Sequence, residues 1–174
     1  MKVFTETQRF NQWWLIVLEI FIIIIISFDL YIKISEFNSG NSDSSITSII
    51  ISLIIILVVF ILLFSMKLTM RIDETGISYK FFPLHLKSKK VVWQELSKAF
   101  VRKYNPLIEY GGWGIRGFRR KGGLRGNGMA YNIKGNMGIQ LEFIDGGKLL
   151  LGTQLTEKAK QTLQNYQYKM ESNS

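Results

Sequence analysis

The residues best suited to chemistry lie in one glycine-rich stretch, Tyr110 to Gly128. It holds eight glycines together with Arg116, Arg119, Arg120, Lys121 and Arg125, and no acid follows Glu109 until Glu142. Glycines let backbone N–H groups approach a ligand, and guanidinium groups fork onto phosphate or carboxylate. These five cations are therefore the candidate anion- or partner-binding residues. A solvated basic hairpin is the plainer reading of the same string, and the residues alone leave both open. Near an anionic lipid surface each cation contributes about 1 kcal/mol, so the group supplies a few kcal/mol at most.

Other chemistry fails on context. Gly112-Trp113-Gly114-Ile115-Arg116-Gly117 matches G-x-G-x-x-G literally. A dinucleotide site also needs a strand before it, a helix opening at the glycines and an acid about 20 residues on. The flanks Asn105-Pro106 and Phe118-Arg119-Arg120-Lys121 start no helix, and no suitable acid follows. Gly117 and Gly122 have P-loop spacing, but Gly123 stands where the lysine belongs. His85 is the single histidine, in a basic loop, and reads as solvated; no second histidine exists for a metal cluster. Asp73, Glu74, Glu95, Glu109, Glu142 and Asp145 are scattered, most of them in turns. With no cysteine there is no disulfide, thiolate site or cysteine nucleophile. No catalytic residue, cofactor or metal is expected, and the chain reads as a non-enzyme. The Arg119–Gly126 string also resembles Gly-Arg RNA-binding segments, but nucleic acid is disfavoured because basic charge beside an apolar segment has a commoner explanation in lipid attraction.

The elements that must position these residues divide the chain in two. Residues 67–174 carry 19 Lys+Arg against 8 Asp+Glu, a balance of +11, whereas the first 66 carry 3 against 5. Two apolar stretches, 13–31 and 46–66, dominate the first part. A strand of that length exceeds any ordinary sheet, and a helix satisfies its own backbone, so both read as helices long enough to span a bilayer. Lys2 and Arg9 before them and Lys67, Arg71 and Lys80 after them outnumber the lone Lys33 of the connecting loop. The expectation is an integral, multi-pass protein of a bacterial inner membrane with both termini cytoplasmic. Glu19, inside the first helix, reads as a protonated or snorkelling side chain in preference to a polar contact. Trp113 reads as a core residue.

From Lys67 the pattern becomes short strands. Lys67–Ile72 alternates, Asp73-Glu74-Thr75-Gly76 turns the chain, and Ile77–Phe82 returns to Pro83. Further strands are expected at Lys89–Trp93, Lys98–Tyr104, Met129–Ile133, Gly138–Ile144 and Lys148–Gly152, with Pro106 closing the first half and Asp145-Gly146-Gly147 a hairpin turn. Leu155, Ala159, Leu163, Tyr166 and Met170 then form one helical stripe, with Thr156 as its N-cap. The expected fold class is a membrane α-hairpin plus an α+β domain. That domain is expected to be a small β-barrel of about seven strands, capped by a C-terminal amphipathic helix.

Val92-Trp93-Gln94-Glu95-Leu96, Tyr110 to Arg116, Ala130-Tyr131-Asn132, Gly138-Ile139-Gln140-Leu141 and Leu151-Gly152-Thr153-Gln154 together resemble bacterial two-transmembrane-helix proteins carrying a pleckstrin-homology-like (PH-like) domain. The resemblance covers residues 67 to about 165. It implies a PH-like fold and membrane residence but no catalytic residues. The expected domains are 1–66, a tail and two-helix hairpin, and 67–174, a cytoplasmic PH-like domain. The expected function is a non-enzymatic, membrane-anchored binding or scaffolding module. Its expected partners are the lipid bilayer, and an anionic lipid or acidic protein; a homo-oligomer is left open. The alternative is an assembly or quality-control factor for other membrane proteins, acting through its helices.

Overall fold

The computed structural model describes residues 3–10, 13–39, 46–117 and 128–171. The chain forms two compact units, residues 10–66, and residues 1–9 with 67–174. The smaller unit is a pair of helices, α1 (Trp13–Asn38) and α2 (Ile46–Ser65). In it Lys33 pairs with Asp29 at 2.7 Å and donates to Ser52 Oγ at 3.1 Å. Glu19 does not snorkel to solvent: it is 6% exposed, and its Oε1 finds no hydrogen-bond partner among the described residues.

The integral, multi-pass placement in a bacterial inner membrane with cytoplasmic termini, and the membrane and transmembrane character that went with it, is corrected here. Among the described residues no helix is long and apolar enough to cross a membrane. In α1 four ionisable residues, Glu19, Asp29, Lys33 and Glu36, interrupt the apolar sequence.

The larger unit is built on two sheets. The first holds β1 (Phe4–Arg9), β2 (Lys67–Asp73), β3 (Gly76–Phe82) and β4 (Lys89–Val91) in sequence order, all antiparallel. The second holds β5 (Leu96–Lys103), β6 (Gly114–Arg116), β7 (Met129–Asn132), β8 (Met137–Phe143) and β9 (Lys148–Gly152) in the order β5-β8-β9-β7-β6. Its β7–β9 pair is parallel. Three helices complete the unit: α3 (Pro106–Tyr110), α4 (Thr156–Gln164) and α5 (Tyr168–Glu171).

The expected seven-stranded PH-like barrel is corrected to an open α+β fold. Among the described residues the two sheets comprise nine strands, and no pairing joins one sheet to the other. The reason lies where closure would have to begin. β4 ends after three residues, a single 3-10 turn (Trp93–Glu95) replaces the end of the expected strand, and β5 opens on a bulge between Leu96 and Lys98. Each device interrupts the ladder that a barrel would have to continue.

The N-terminal residues are part of this unit. β1 pairs with β2 from Phe4↔Ile72 to Arg9↔Lys67. Its alternation is inverted in chemistry, because Phe4, Glu6 and Gln8 all face inward. Glu6 is satisfied there: Oε2 accepts from Thr153 Oγ1 at 2.5 Å, and Oε1 accepts from Gln154 N at 2.8 Å and Gln8 Nε2 at 2.9 Å. Gln8 Nε2 also donates to Gly152 O at 2.7 Å. The strand is thus bolted through polar groups to the end of β9.

Apolar residues fill the space between the sheets and the C-terminal helices. Leu68, Met70, Ile72, Ile77 and Phe81 come from the first sheet, and Ile139, Leu141, Leu149 and Leu151 from the second. Trp93 is buried, stacks on Tyr166 at 5.3 Å and donates from Nε1 to Asp73 O at 3.0 Å. Of the predicted helical stripe, Ala159, Leu163, Tyr166 and Met170 are buried; the helix breaks between Gln164 and Tyr168. Thr156 is the first helical residue, not the cap. Its predecessor Leu155 holds the cap position without a side-chain bond, and Thr153 Oγ1 accepts from Leu155 N at 3.2 Å.

Candidate binding site

Of the five cations singled out from sequence, Arg116 is described; Arg119, Arg120, Lys121 and Arg125 lie outside the described residues. Arg116 is exposed at the end of β6, the edge strand of the second sheet, and its Nε donates to Trp113 O at 3.1 Å. Trp113 is half-buried rather than core, with Nε1 donating to Gly135 O at 3.1 Å. Behind β6, Asn132 Oδ1 accepts from Gly114 N at 2.9 Å and Nδ2 donates to Tyr104 Oη at 3.0 Å.

His85 is not the solvated side chain of a basic loop. It is half-buried, with its ring 5.2 Å from that of Tyr131 and 6.0 Å from that of Tyr79. Its Nδ1 accepts from Phe81 N at 3.3 Å, and its Nε2 lies 3.4 Å from Tyr131 Oη. An Nδ1 that accepts must be unprotonated, so the neutral ring carries its proton on Nε2. Burial, and then the charge of Lys89, hold His85 below the ordinary histidine range. Burial likewise pushes the Tyr131 phenol far above its ordinary value. This cluster packs; it presents no base to a nucleophile.

A second polar cluster stands where α3 meets β5. Arg102 Nη2 pairs with Glu109 Oε2 at 2.8 Å and lies 3.3 Å from Tyr110 Oη, while Nε donates to Gln140 Oε1 at 3.0 Å. Burial pulls the Glu109 carboxyl up, but the Arg102 bond and the Asn105 amide outweigh it and hold the group below its ordinary value. Among the described residues no group of His, Asp and Glu could hold a metal ion.

The concave feature that sequence did not reveal lies between β5 and the C-terminal helices. Two adjoining cavities, 340 and 200 Å³, share Ala99, Phe100 and Gln167. Residues 97–100 line the first, and residues 99–101 the second. Successive residues of a strand point to opposite faces. A groove lined by consecutive residues therefore follows the strand's edge, not one of its faces. That edge is the terminal one of its sheet: β5 pairs with β8 alone among the described residues. The opposite wall is helical, with Lys160, Leu163, Gln164, Gln167 and Met170. Phe100, 40% exposed, supplies apolar surface, and Lys98 and Lys160 supply the charge; no acid or histidine lines either cavity. The chemistry on offer is backbone pairing, apolar contact and attraction for anions. The one legible signal was Phe100, a large apolar residue flanked by Lys98 and Arg102 on the same strand face.

Comparison of the chain with protein-family models, with curated proteins and with solved structures finds no match.

Proposed function

We propose that the protein is a non-enzymatic binding module that takes an extended, acidic segment of a protein partner along the free edge of β5, beneath α4 and α5. One observation carries this reading: the groove is walled on one side by a strand edge that is unpaired among the described residues and on the other by a helix. An extended segment laid in it would continue the sheet by main-chain hydrogen bonds. Its alternate side chains would rest against Phe100, Leu163 and Met170. Lys98 and Lys160 supply the charge of the lining and favour carboxylates on the incoming segment; Glu142, opposite Lys98 on β8, is paired with Lys148 at 3.9 Å. The lining also lacks the paired base and nucleophile that catalysis would require.

The test is selection of random dodecapeptides displayed on phage against the full-length protein. Recovered sequences should be acidic, with apolar residues at alternate positions. Their binding should fall at least tenfold in the Lys98→Glu/Lys160→Glu variant. Selected peptides with no acidic bias, or equal binding to the variant, would refute the proposal.

A further inference from the structure

Between β3 and β4 the chain makes a projecting turn, Pro83 to Ser88, whose two leucines face outward. Leu84 is 69% exposed and Leu86 76%. Their exposure is enforced, because the residue between them is the anchor. His85 N donates to Phe81 O at 2.7 Å, His85 Nδ1 accepts from Phe81 N, and the ring rests against Tyr131 and Tyr79. Ser88 Oγ donates to Tyr79 O at 3.4 Å and ties the far end. With His85 held inward, its neighbours on either side are displayed.

Around this apolar tip the charge has one sign. Lys87, Lys89 and Lys90 are exposed, and none forms an ion pair with an acid among the described residues. Lys67 and Lys80 lie over the Phe82 ring at 5.7 and 5.9 Å, at the same end of the first sheet. No Asp or Glu occurs between Glu74 and Glu95. A convex pair of leucines ringed by lysines matches a surface with diffuse negative charge outside and apolar material beneath. A protein partner would need two matching pockets flanked by acids, whereas an anionic lipid surface offers this layering without shape complementarity. We propose that the Pro83–Ser88 turn binds an anionic lipid surface peripherally, Leu84 and Leu86 entering the headgroup region and Lys87, Lys89 and Lys90 contacting phosphate and carboxylate groups. This surface is separate from the β5 groove and does not depend on the peptide reading.

The chain has no cysteine, so a single introduced thiol can be labelled uniquely. Full-length Leu86→Cys and, separately, Leu84→Cys would carry a polarity-sensitive fluorophore. Each would be mixed with vesicles of equal parts phosphatidylcholine and phosphatidylserine containing nitroxide lipid. Ile144→Cys is the control: Ile144 is 58% exposed and its amide donates to Glu95 O, at the end where Trp93 reaches Asp73, away from Phe82. The expected result is a blue shift and quenching at 84 and 86, absent at 144, absent with pure phosphatidylcholine and reversed by salt. Lys87→Gln/Lys89→Gln/Lys90→Gln should weaken the response about a hundredfold, at about fivefold per lysine. Equal quenching at 144, equal response to neutral vesicles, or no quenching would overturn the proposal. So would a shift produced by polyglutamate but not by vesicles, which would assign the tip to an acidic protein.

Discussion

Glu6 is the residue on which the attachment of the N-terminal strand turns, and its removal has a calculable consequence. It is 5% exposed and accepts hydrogen bonds from Thr153, Gln154 and Gln8. Glu6→Ala leaves the Gln154 amide and the Thr153 hydroxyl without their acceptor, while Gln8 Nε2 keeps Gly152 O. Thr153 is buried, so its orphaned hydroxyl costs about 1–3 kcal/mol, whereas Gln154 is exposed and its amide can turn to water; the loss is put at about 1–3 kcal/mol. Glu6→Gln, which retains one acceptor and turns an amide toward a donor, should fall between Glu6→Ala and the parent. Thr7→Val, one residue along on the exposed face, should cost less than about 0.5 kcal/mol. The assay is urea unfolding of the full-length protein followed by tryptophan fluorescence, read as a change in midpoint at constant slope. Hydrogen exchange should also show β1 amides opening earlier in Glu6→Ala. A Glu6→Ala protein within about 0.5 kcal/mol of the parent would refute the reasoning, since the latch would then contribute nothing.

His85→Gln should flatten the pH dependence of stability below about pH 6.5. The folded-state value of His85 is lowered, so the unfolded chain binds more protons in that window, and stability is lost as pH falls through the folded value; urea midpoints across the window measure it. Asp73 is held below its ordinary value by the Thr75 hydroxyl first and by Arg71 after it. Stability present above the unfolded carboxyl range should therefore decline in acid, and Asp73→Asn should remove that decline. Gly76→Ala should destabilise by about 3 kcal/mol or more, because φ is 141° and the added Cβ would meet the Val91 carbonyl oxygen; thermal melts would show it. Arg102→Met should cost about 2 kcal/mol by removing the partner of Glu109 Oε2 and Gln140 Oε1, measured by the same urea titration.

The parts of the fold that sequence revealed are those where burial and polarity agree. β2 and β3 alternate cleanly around Asp73–Gly76, and the observed register, Lys67↔Phe82 to Asp73↔Gly76, follows from it. β8 and β9 were equally plain around Asp145-Gly146-Gly147. β1 was hidden because two of its three inward residues are polar, Glu6 and Gln8, and because α1 and α2 separate it from its partner in sequence. α3 was hidden behind Pro106. That proline does not end an element but occupies the first turn of a helix, with Asn105 Oδ1 accepting from Leu107 N and Ile108 N and Gly111 closing it in the left-handed region. β6 is three residues within a glycine string and has no alternation to read. Barrel closure followed from counting strands, but pairing depends on where ladders stop, and the bulge at the start of β5 is not written in residue type. The β5 groove escaped for the same reason: an edge strand is defined by the neighbour it lacks.

Hydrogen–deuterium exchange on the full-length protein, with and without a saturating selected acidic peptide, tests the central claim most directly. Strand addition predicts slowed exchange concentrated in residues 97–101 of β5, with little change along β6 at the opposite edge. Protection confined to residues 114–116, or absent from β5 altogether, would contradict it.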